Sequence, residues 1–259
     1  YSSILNQYQA NELLNRFPSF ELSYETISHK KVSNDYNITL AIPYGKKAFL
    51  WFTYYKSKNV CFLMELGKDK KFANVTIIQE NIPIDLAYGT ILYGCLCEIP
   101  EVRTFFVTED IMYYEGINTS RQSFSEKFNF MYRLMDEYPS LFSENEKLYV
   151  TLPVFWKIEK EENTIPEHYK NMIPYTIHHL QHRSNTRVVP YINFPWSKNI
   201  LPNFYIYVTR LVNLNYHPTP DHNAYPSVHL TQPSLHITTV LLVVQASMVL
   251  AISVDTFPS

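Results

Sequence analysis

The chain has 259 residues, 46% of them hydrophobic, which is enough to bury a sizeable core in one large domain or two small ones. A formal net charge of −2 excludes a general electrostatic attraction to nucleic acid, so any polyanion would need a local basic patch. The three cysteines, Cys61, Cys95 and Cys97, are too few and odd in number for a disulfide framework, so we expect reduced, partly buried thiols in an intracellular protein.

The first half of the chain is predicted to form one short helix followed by many strands. Apolar spacing over residues 4–16 predicts a helix that Pro18 stops, and we assign residues 1–18 to this N-terminal element. Apolar runs separated by turn-forming residues predict strands further on. These predicted strands are 20–27, 36–42, 47–55, 60–66, 74–80, 89–99 and 103–115.

A second helix is predicted at about residues 123–138, where apolar side chains recur at helical spacing on one face that we expect to be buried. Residues 147–158 are predicted as one further strand, and residues 178–187 as a strand edge followed by a turn. Runs of strands followed by a helix indicate an α+β fold with mostly antiparallel sheets and few helices. The residues of the buried helix face are Phe124, Phe128, Met131, Leu134 and Met135.

Residues 200–259 differ in composition from the main domain, which we place at 19–199. All 22 Lys and Arg lie before residue 211, and the run 237–254 contains no charge over 18 residues. We favour buried strands or a core segment for this run, and keep a membrane anchor and a divergent tail as alternatives. A membrane span is disfavoured because no Lys or Arg flanks the run and polar Thr, Gln and Ser interrupt it.

Four motifs follow one another in an order known from one enzyme superfamily. They are IPYGKK (42–47), GTILYGCL (89–96), FFVTEDIMYYEG (105–116) and HHLQH (178–182). This series resembles the motifs of the covalent nucleotidyltransferases, meaning mRNA guanylyltransferases and DNA/RNA ligases. It is most similar to the cap-binding domain of snurportin and to capping-enzyme-like proteins of large DNA viruses. The resemblance covers about residues 19–195 and implies a domain like that of the mRNA capping enzyme.

The resemblance also implies that the covalent chemistry has been lost. Ile42 stands at the position of the nucleophilic lysine, and an isoleucine cannot form the phosphoramidate intermediate. Tyr93 and Cys95 stand at the two acids of the second motif, and His178 at the carboxylate of the fourth. We therefore expect no catalytic residue, metal or cofactor, and a protein that binds an RNA cap, a guanine nucleotide or a protein partner.

Two other functions remain open. Lys46 or Lys47 could be a displaced nucleophile, which would make the chain an active mRNA guanylyltransferase that transfers GMP from GTP to the 5′ end of RNA. A large DNA virus could instead reuse the fold as a structural component of the virion or its assembly. The composition, rich in Asn, Lys, Ile, Tyr and Phe, agrees with an AT-rich viral source. We expect the host cytoplasm (viral factory) or the virion as the location.

Candidate ligand-binding residues follow from the motifs and from their chemistry. Arginine forks match phosphate, and aromatic rings stack on a methylated, positively charged guanine, although the same residues would also fit a solvated strand edge or a core. Strand alternation places Tyr93 and Cys95 towards the site and Leu92 in the core. The lysines after the glycine turn are expected to keep their ammonium groups in water. The candidates are Gly45, Lys46, Lys47, Tyr93, Asp110, His178, Arg183, Arg187, Tyr191 and Trp196.

Overall fold

The structure is a computed structural model. It describes residues 3–19, 24–25, 35–68, 71–98, 104–139, 141, 148–158, 164–170 and 172–196. Residues 1–165 and 175–200 form one compact unit, to which both sheets described below belong. A second unit consists of residues 166–174 and 201–259, and its described part contains one short helix.

The described residues form thirteen strands and four helices. The first strands are β1 Ser3–Ile4, β2 Tyr24–Glu25, β3 Ile38–Pro43, β4 Lys46–Tyr55, β5 Lys58–Leu66, β6 Phe72–Glu80 and β7 Thr90–Glu98. The later strands are β8 Thr104–Tyr114, β9 Ile117–Asn118, β10 Tyr149–Thr151, β11 Phe155–Lys157, β12 Ile177–Arg183 and β13 Tyr191–Pro195. The helices are α1 Gln7–Leu14, α2 Ile84–Ala87, α3 Phe124–Glu137 and α4 Glu167–Lys170.

The strands form two sheets in which antiparallel pairs predominate. The large sheet has eight strands in the order β1-β6-β5-β4-β7-β8-β10, with β9 paired to β8. The small sheet has five strands in the order β11-β3-β12-β13-β2. Only β10 with β8 and β13 with β2 pair in parallel among the described strands. This arrangement agrees with the predicted α+β class.

The chain changes sheet at a tight turn between β3 and β4, formed by Tyr44 and Gly45. A Cβ added to Gly45 would lie 2.1 Å from the carbonyl oxygen of Leu96 and 2.8 Å from Sγ of Cys95. Only glycine therefore allows the turn to approach β7 this closely. The motif glycine at position 45 thus has a structural function that does not depend on any ligand.

Helix α1 packs on the large sheet and closes an aromatic core. Its N-terminus is fixed by a capping box between Asn6 and Gln9, and the helix buries Ala10 and Leu13 in the same cluster as Phe49. The Phe17 ring, just after the helix, lies 5.1 Å from the Trp51 ring and contacts two further phenylalanines edge to face. The predicted helix at 4–16 is shorter in the structure because Ser3–Ile4 pairs with β6 as a strand.

Helix α3 confirms the predicted amphipathic pattern over residues 123–138. Its five predicted apolar residues are all buried, and Ser123 with Glu126 forms a capping box at its start. The helix contacts both sheets, since the Phe128 ring packs on Phe155 of β11 and the Phe130 ring stacks on Tyr114 of β8. It therefore lies where the two sheets meet.

The single strand predicted at residues 147–158 is two strands in two different sheets. Residues 149–151 pair with β8 of the large sheet, and residues 155–157 pair with β3 of the small sheet. Pro153 lies between them and has no amide N–H to donate to a continuous ladder. The apolar run identified the strand residues but did not show that the chain crosses between sheets here.

Several predictions fall on residues that the structure does not describe. The C-terminal segment 200–259, with the uncharged run 237–254, lies outside the described residues, as does most of the strand predicted at 20–27. Within the described part of the chain, no helix has the length and apolar character needed to cross a membrane. Cys61, Cys95 and Cys97 are buried free thiols, as expected.

Candidate ligand-binding site

A cavity of about 410 Å³ lies where the two sheets meet α3. Strand β8 contributes Glu109 and Asp110, α3 contributes Lys127, and the small sheet contributes Arg183 and Tyr191. Its volume falls within the range of about 300–1,000 Å³ that small-molecule sites occupy. Charged side chains that are buried in the same wall make this cavity the candidate site.

A β-bulge turns two consecutive acids towards the cavity. The pairing of β7 with β8 passes from Tyr93 opposite Asp110 to Gly94 opposite Thr108, which leaves Glu109 as an extra residue on β8. Regular alternation would send neighbouring side chains to opposite faces, whereas a bulge changes the direction of one of them. Both Glu109 and Asp110 consequently line the cavity.

The Asp110 carboxylate is the centre of a buried polar cluster. Its oxygens accept hydrogen bonds from Nζ of Lys127 at 3.1 and 3.3 Å and from the Tyr191 hydroxyl at 2.7 Å. The backbone N–H of Ile111 donates to the same carboxylate at 2.8 Å. Burial, followed by the charge of Asp110, raises the pKa of Tyr191, so its phenol stays protonated and remains a donor. This cluster fixes α3 and β13 against β8.

Glu109 forms a second buried ion pair. Its side chain is 2% exposed, and its Oε1 pairs with Nζ of Lys47, whose side chain is 31% exposed. The Lys47 ammonium also lies 5.8 Å from the centre of the Tyr93 ring. Burial, followed by the charge of Glu109, raises the pKa of Tyr93, which therefore stays neutral. Lys47 thus contacts a residue of the cavity wall, Glu109, without lining the cavity itself.

Arg183 is the buried cation of the small sheet in the cavity wall. Its residue is 1% exposed, and no carboxylate of the described residues forms an ion pair with its guanidinium. Its Cζ lies 3.9 Å from the centre of the Tyr191 ring and 4.7 Å from that of the Phe124 ring. The guanidinium is therefore held by two aromatic contacts in a position where it lines the cavity.

Hydrogen bonds to neutral groups fix the orientation of the guanidinium. Gln181 Oε1 accepts from Nε of Arg183 at 2.9 Å and from Nη2 at 2.6 Å, and the Glu109 carbonyl accepts from Nη1 at 2.7 Å. Gln181 is itself oriented, because its Nε2 donates to Oδ1 of Asn193 at 2.8 Å. The arginine therefore connects the small sheet to the bulge in the large sheet.

The buried charges of the site sum to a positive value. Lys127 neutralises Asp110 and Lys47 neutralises Glu109, while Arg183 has no counter-ion among the described residues. Arg187, at the rim, pairs with Asp35 in a more exposed position. Among the described residues of the interior wall, one positive charge is therefore left over.

Two adjacent histidines lie beside the site on β12. His178 is exposed and its Nδ1 lies 2.8 Å from Nδ1 of His179. Burial is the main cause that lowers the pKa of His179 to about 3, and the nearby charges of Lys47, His178 and Arg183 lower it further. His179 is therefore neutral at physiological pH and adds no charge to the wall.

Five of the ten candidate residues line the cavity: Tyr93, Asp110, Arg183, Arg187 and Tyr191. Lys47 reaches it only through Glu109, and Lys46 pairs with Glu65 at the surface. Gly45, His178 and Trp196 do not line it. Of the two lysines expected in water, Lys46 is 48% exposed, whereas Lys47 is held by a buried acid.

The prediction that Tyr93 and Cys95 of β7 both contribute to the site holds for Tyr93 and not for Cys95. Tyr93 lines the cavity and also packs on Phe49, with ring centres 5.0 Å apart. Cys95 is fully buried, does not line the cavity, and directs its Sγ towards the carbonyl of Pro43 at 3.7 Å. Cys95 lies instead against the turn between β3 and β4, where a Cβ on Gly45 would come within 2.8 Å of its Sγ.

The residues that sequence reasoning missed are Glu109, Lys127 and Gln181. Lys127 has a signal in the sequence, because a lysine occurs at a position of the buried face of α3. Consecutive acids within an apolar strand are a second signal, and they mark the bulge. Nothing in the local pattern distinguishes Gln181 from an exposed strand residue.

The described residues contain no group of three or more His, Cys, Asp or Glu that could hold a metal ion. Comparison of the sequence with protein-family models and with curated proteins gave no match.

Proposed function

We propose that this protein is a non-catalytic, nucleotidyltransferase-like binding protein whose cavity takes a guanine nucleotide or the capped 5′ end of an RNA. The observation that carries the proposal is that the lysines near the cavity are engaged in ion pairs. Lys127 and Lys47 are each paired with a buried carboxylate, and residue 42 is a fully buried isoleucine. A nucleophilic lysine is activated by a hydrophobic pocket or by a neighbouring cation, whereas each of these two lysines contacts a carboxylate.

The open volume supports a ligand over a purely structural role. A pocket filled by the protein's own aromatic side chains would favour a structural role in the virion or its assembly. Tyr93, which replaces an acid in the resemblance to the nucleotidyltransferases, packs partly on Phe49 and leaves a cavity of about 410 Å³. Polar groups on the wall of such a volume are typical of a site that orients a ligand.

The first test separates binding from catalysis. The full chain is incubated with GTP labelled at the α-phosphate and with Mg²⁺ or Mn²⁺, then denatured and separated by electrophoresis. We expect no labelled protein, together with measurable binding of GTP or a capped dinucleotide by calorimetry. A labelled band would contradict the proposal and favour the active guanylyltransferase.

The second test places the ligand in the cavity. Ser120 lines the cavity and is exposed, so Ser120→Trp should obstruct its mouth and weaken binding at least about tenfold, which corresponds to about 1.4 kcal/mol. Ile117→Trp is the matched control, because Ile117 is exposed nearby on β9 and does not line the cavity. If neither GTP nor a capped dinucleotide binds the unmodified chain, the proposal fails and the structural role is favoured.

A further inference from the structure

We infer that the buried guanidinium of Arg183 anchors a phosphate subsite, and that the site recognises its ligand by phosphate charge and not by stacking on a methylated base. This inference rests on the proposed function, since it names the part of a nucleotide that the same cavity reads. It depends on three properties of the wall: unused donors, an uncompensated charge and aromatic rings that are already occupied.

The guanidinium retains donors that no described residue uses. Arginine carries five N–H groups, and three of those of Arg183 have acceptors, at Gln181 Oε1 twice and at the Glu109 carbonyl once. One N–H on each terminal nitrogen therefore has no acceptor among the described residues. Two N–H groups on neighbouring nitrogens match the spacing of two oxygens of one phosphate.

A neighbouring hydroxyl adds a third donor. Ser184 also lines the cavity, and its Oγ accepts a hydrogen bond from the backbone N–H of Arg187 at 3.1 Å. The Ser184 hydroxyl proton then has no acceptor in the described part of the chain and is free to donate. Arg183 and Ser184 are consecutive, so these donors lie on one short stretch of the wall.

The charge of the wall also favours an anion. A buried cation is costly unless it is paired, and the aromatic contacts of Arg183 offset only part of that cost. The two acids of the cavity do not compete for the guanidinium, because Asp110 is paired with Lys127 and the Glu109 carboxylate with Lys47. A phosphate would provide the counter-ion that the described residues do not.

The aromatic rings of the wall are not available to sandwich a base. Tyr191 and Phe124 both contact the Arg183 guanidinium, and Tyr93 packs on Phe49 with the Lys47 ammonium nearby. A guanine methylated as in the RNA cap carries a positive charge, which these cations would repel. The wall therefore gives no preference for a methylated over an unmethylated guanine.

The test compares ligands that differ in one property at a time, on the full chain by calorimetry at one fixed salt concentration. We expect affinity to fall by at least about tenfold from GTP to guanosine, and tripolyphosphate to compete with GTP. The affinity for GTP methylated at N7 should be equal to or lower than that for GTP. Tripolyphosphate alone should also raise the melting temperature of the unmodified chain, which tests the subsite without any mutation.

A variant then assigns the effect to Arg183. Arg183→Lys keeps the charge but removes the fork, so it should reduce the difference between GTP and guanosine by at least about fivefold. Arg133→Lys is the control, since Arg133 is exposed on α3, does not line the cavity and pairs with Glu137. If Arg183→Lys does not fold, shown by loss of a cooperative melt, the ligand series on the unmodified chain decides alone.

The outcomes separate this inference from the proposed function. Equal binding of GTP and guanosine, or tighter binding of the methylated nucleotide, would overturn the phosphate subsite and leave the proposed function standing. Binding of tripolyphosphate with no contribution from the nucleoside would support the subsite and contradict a nucleotide site. No binding of any member of the series would overturn both.

Discussion

Replacing Lys47 is the most direct test of the buried charges behind the cavity. In the unmodified protein the ammonium of Lys47 pairs with Glu109, whose side chain is 2% exposed. Lys47→Met keeps most of the aliphatic stem and removes the charge, so the loss of packing is small. The carboxylate of Glu109 is then left buried with no cation in contact with it.

The expected cost follows from this burial. Removing one partner of a buried ion pair destabilises a protein by about 3–5 kcal/mol, because an uncompensated charge remains. Lys47 is 31% exposed, so water already screens part of the interaction, and we expect a loss of about 2–3 kcal/mol in the free energy of unfolding. Lys46→Met is the matched control: Lys46 pairs with Glu65 at the surface, and its loss should cost within about 0.5 kcal/mol.

Urea unfolding followed by circular dichroism measures both variants. A loss of 2–3 kcal/mol corresponds to a decrease of about 1 M in the urea midpoint for a typical urea dependence. The double variant Lys47→Met with Glu109→Gln removes both charges and should recover part of the loss, giving a coupling energy between the two sites. Equal midpoints for Lys47→Met and Lys46→Met would refute the argument, because they would place Glu109 in contact with water.

Three further predictions concern the strands, the helix and pH. Gly94→Ala should destabilise the protein by at least about 2 kcal/mol in urea, because the added Cβ would lie 2.1 Å from the carbonyl oxygen of Val107 in the neighbouring strand. Ser123→Ala removes the cap of α3 and should lower the free energy of unfolding by about 1 kcal/mol, measured in the same way. Burial first, and nearby positive charge second, lower the pKa of His179 from 6.5 to about 3, so its contribution to stability is present above about pH 6.5 and is lost as the pH falls towards 3. His179→Gln should flatten the dependence of the urea midpoint on pH between about 6.5 and 3, and an unchanged slope would place His179 in solvent.

The strands and the long helix were predictable because local patterns specify them. β4 to β8 coincide with the predicted runs within one or two residues, and turn-forming residues separate most of them. In α3 a capping residue, a helical apolar period and a suitable length all agree. The sequence did not specify which strands pair, since pairing depends on contacts between residues far apart in the chain. The split of residues 147–158 between two sheets is one result of this.

Some residues of the site could be predicted from the sequence and others could not, and the reason differs from residue to residue. Asp110 and Tyr191 were found from motif positions and Arg183 from the concentration of His and Arg at 178–187, and the structure brings all three to one cavity. Glu109 was missed because regular strand alternation places its side chain on the face of the sheet away from Asp110. The bulge at Glu109 changes this direction, and the local sequence pattern does not predict it. Lys47 was expected in water because it follows a turn. That position does not show that Glu109 of β8, far away in the sequence, pairs with it.

The bulge at Glu109 couples the ligand site to the joining of the two sheets. The residue that it adds to β8 provides a carboxylate for Lys47 in the large sheet and a carbonyl for Arg183 in the small sheet. The next residue, Asp110, binds Lys127 of α3 and Tyr191 of β13. Two consecutive residues of β8 therefore contact four other elements, β4, β12, α3 and β13. The only buried cation of this group without a carboxylate among the described residues is Arg183, which we assign to phosphate. An anion at Arg183 would strengthen the contact between the sheets, so ligand binding and resistance to unfolding should rise together.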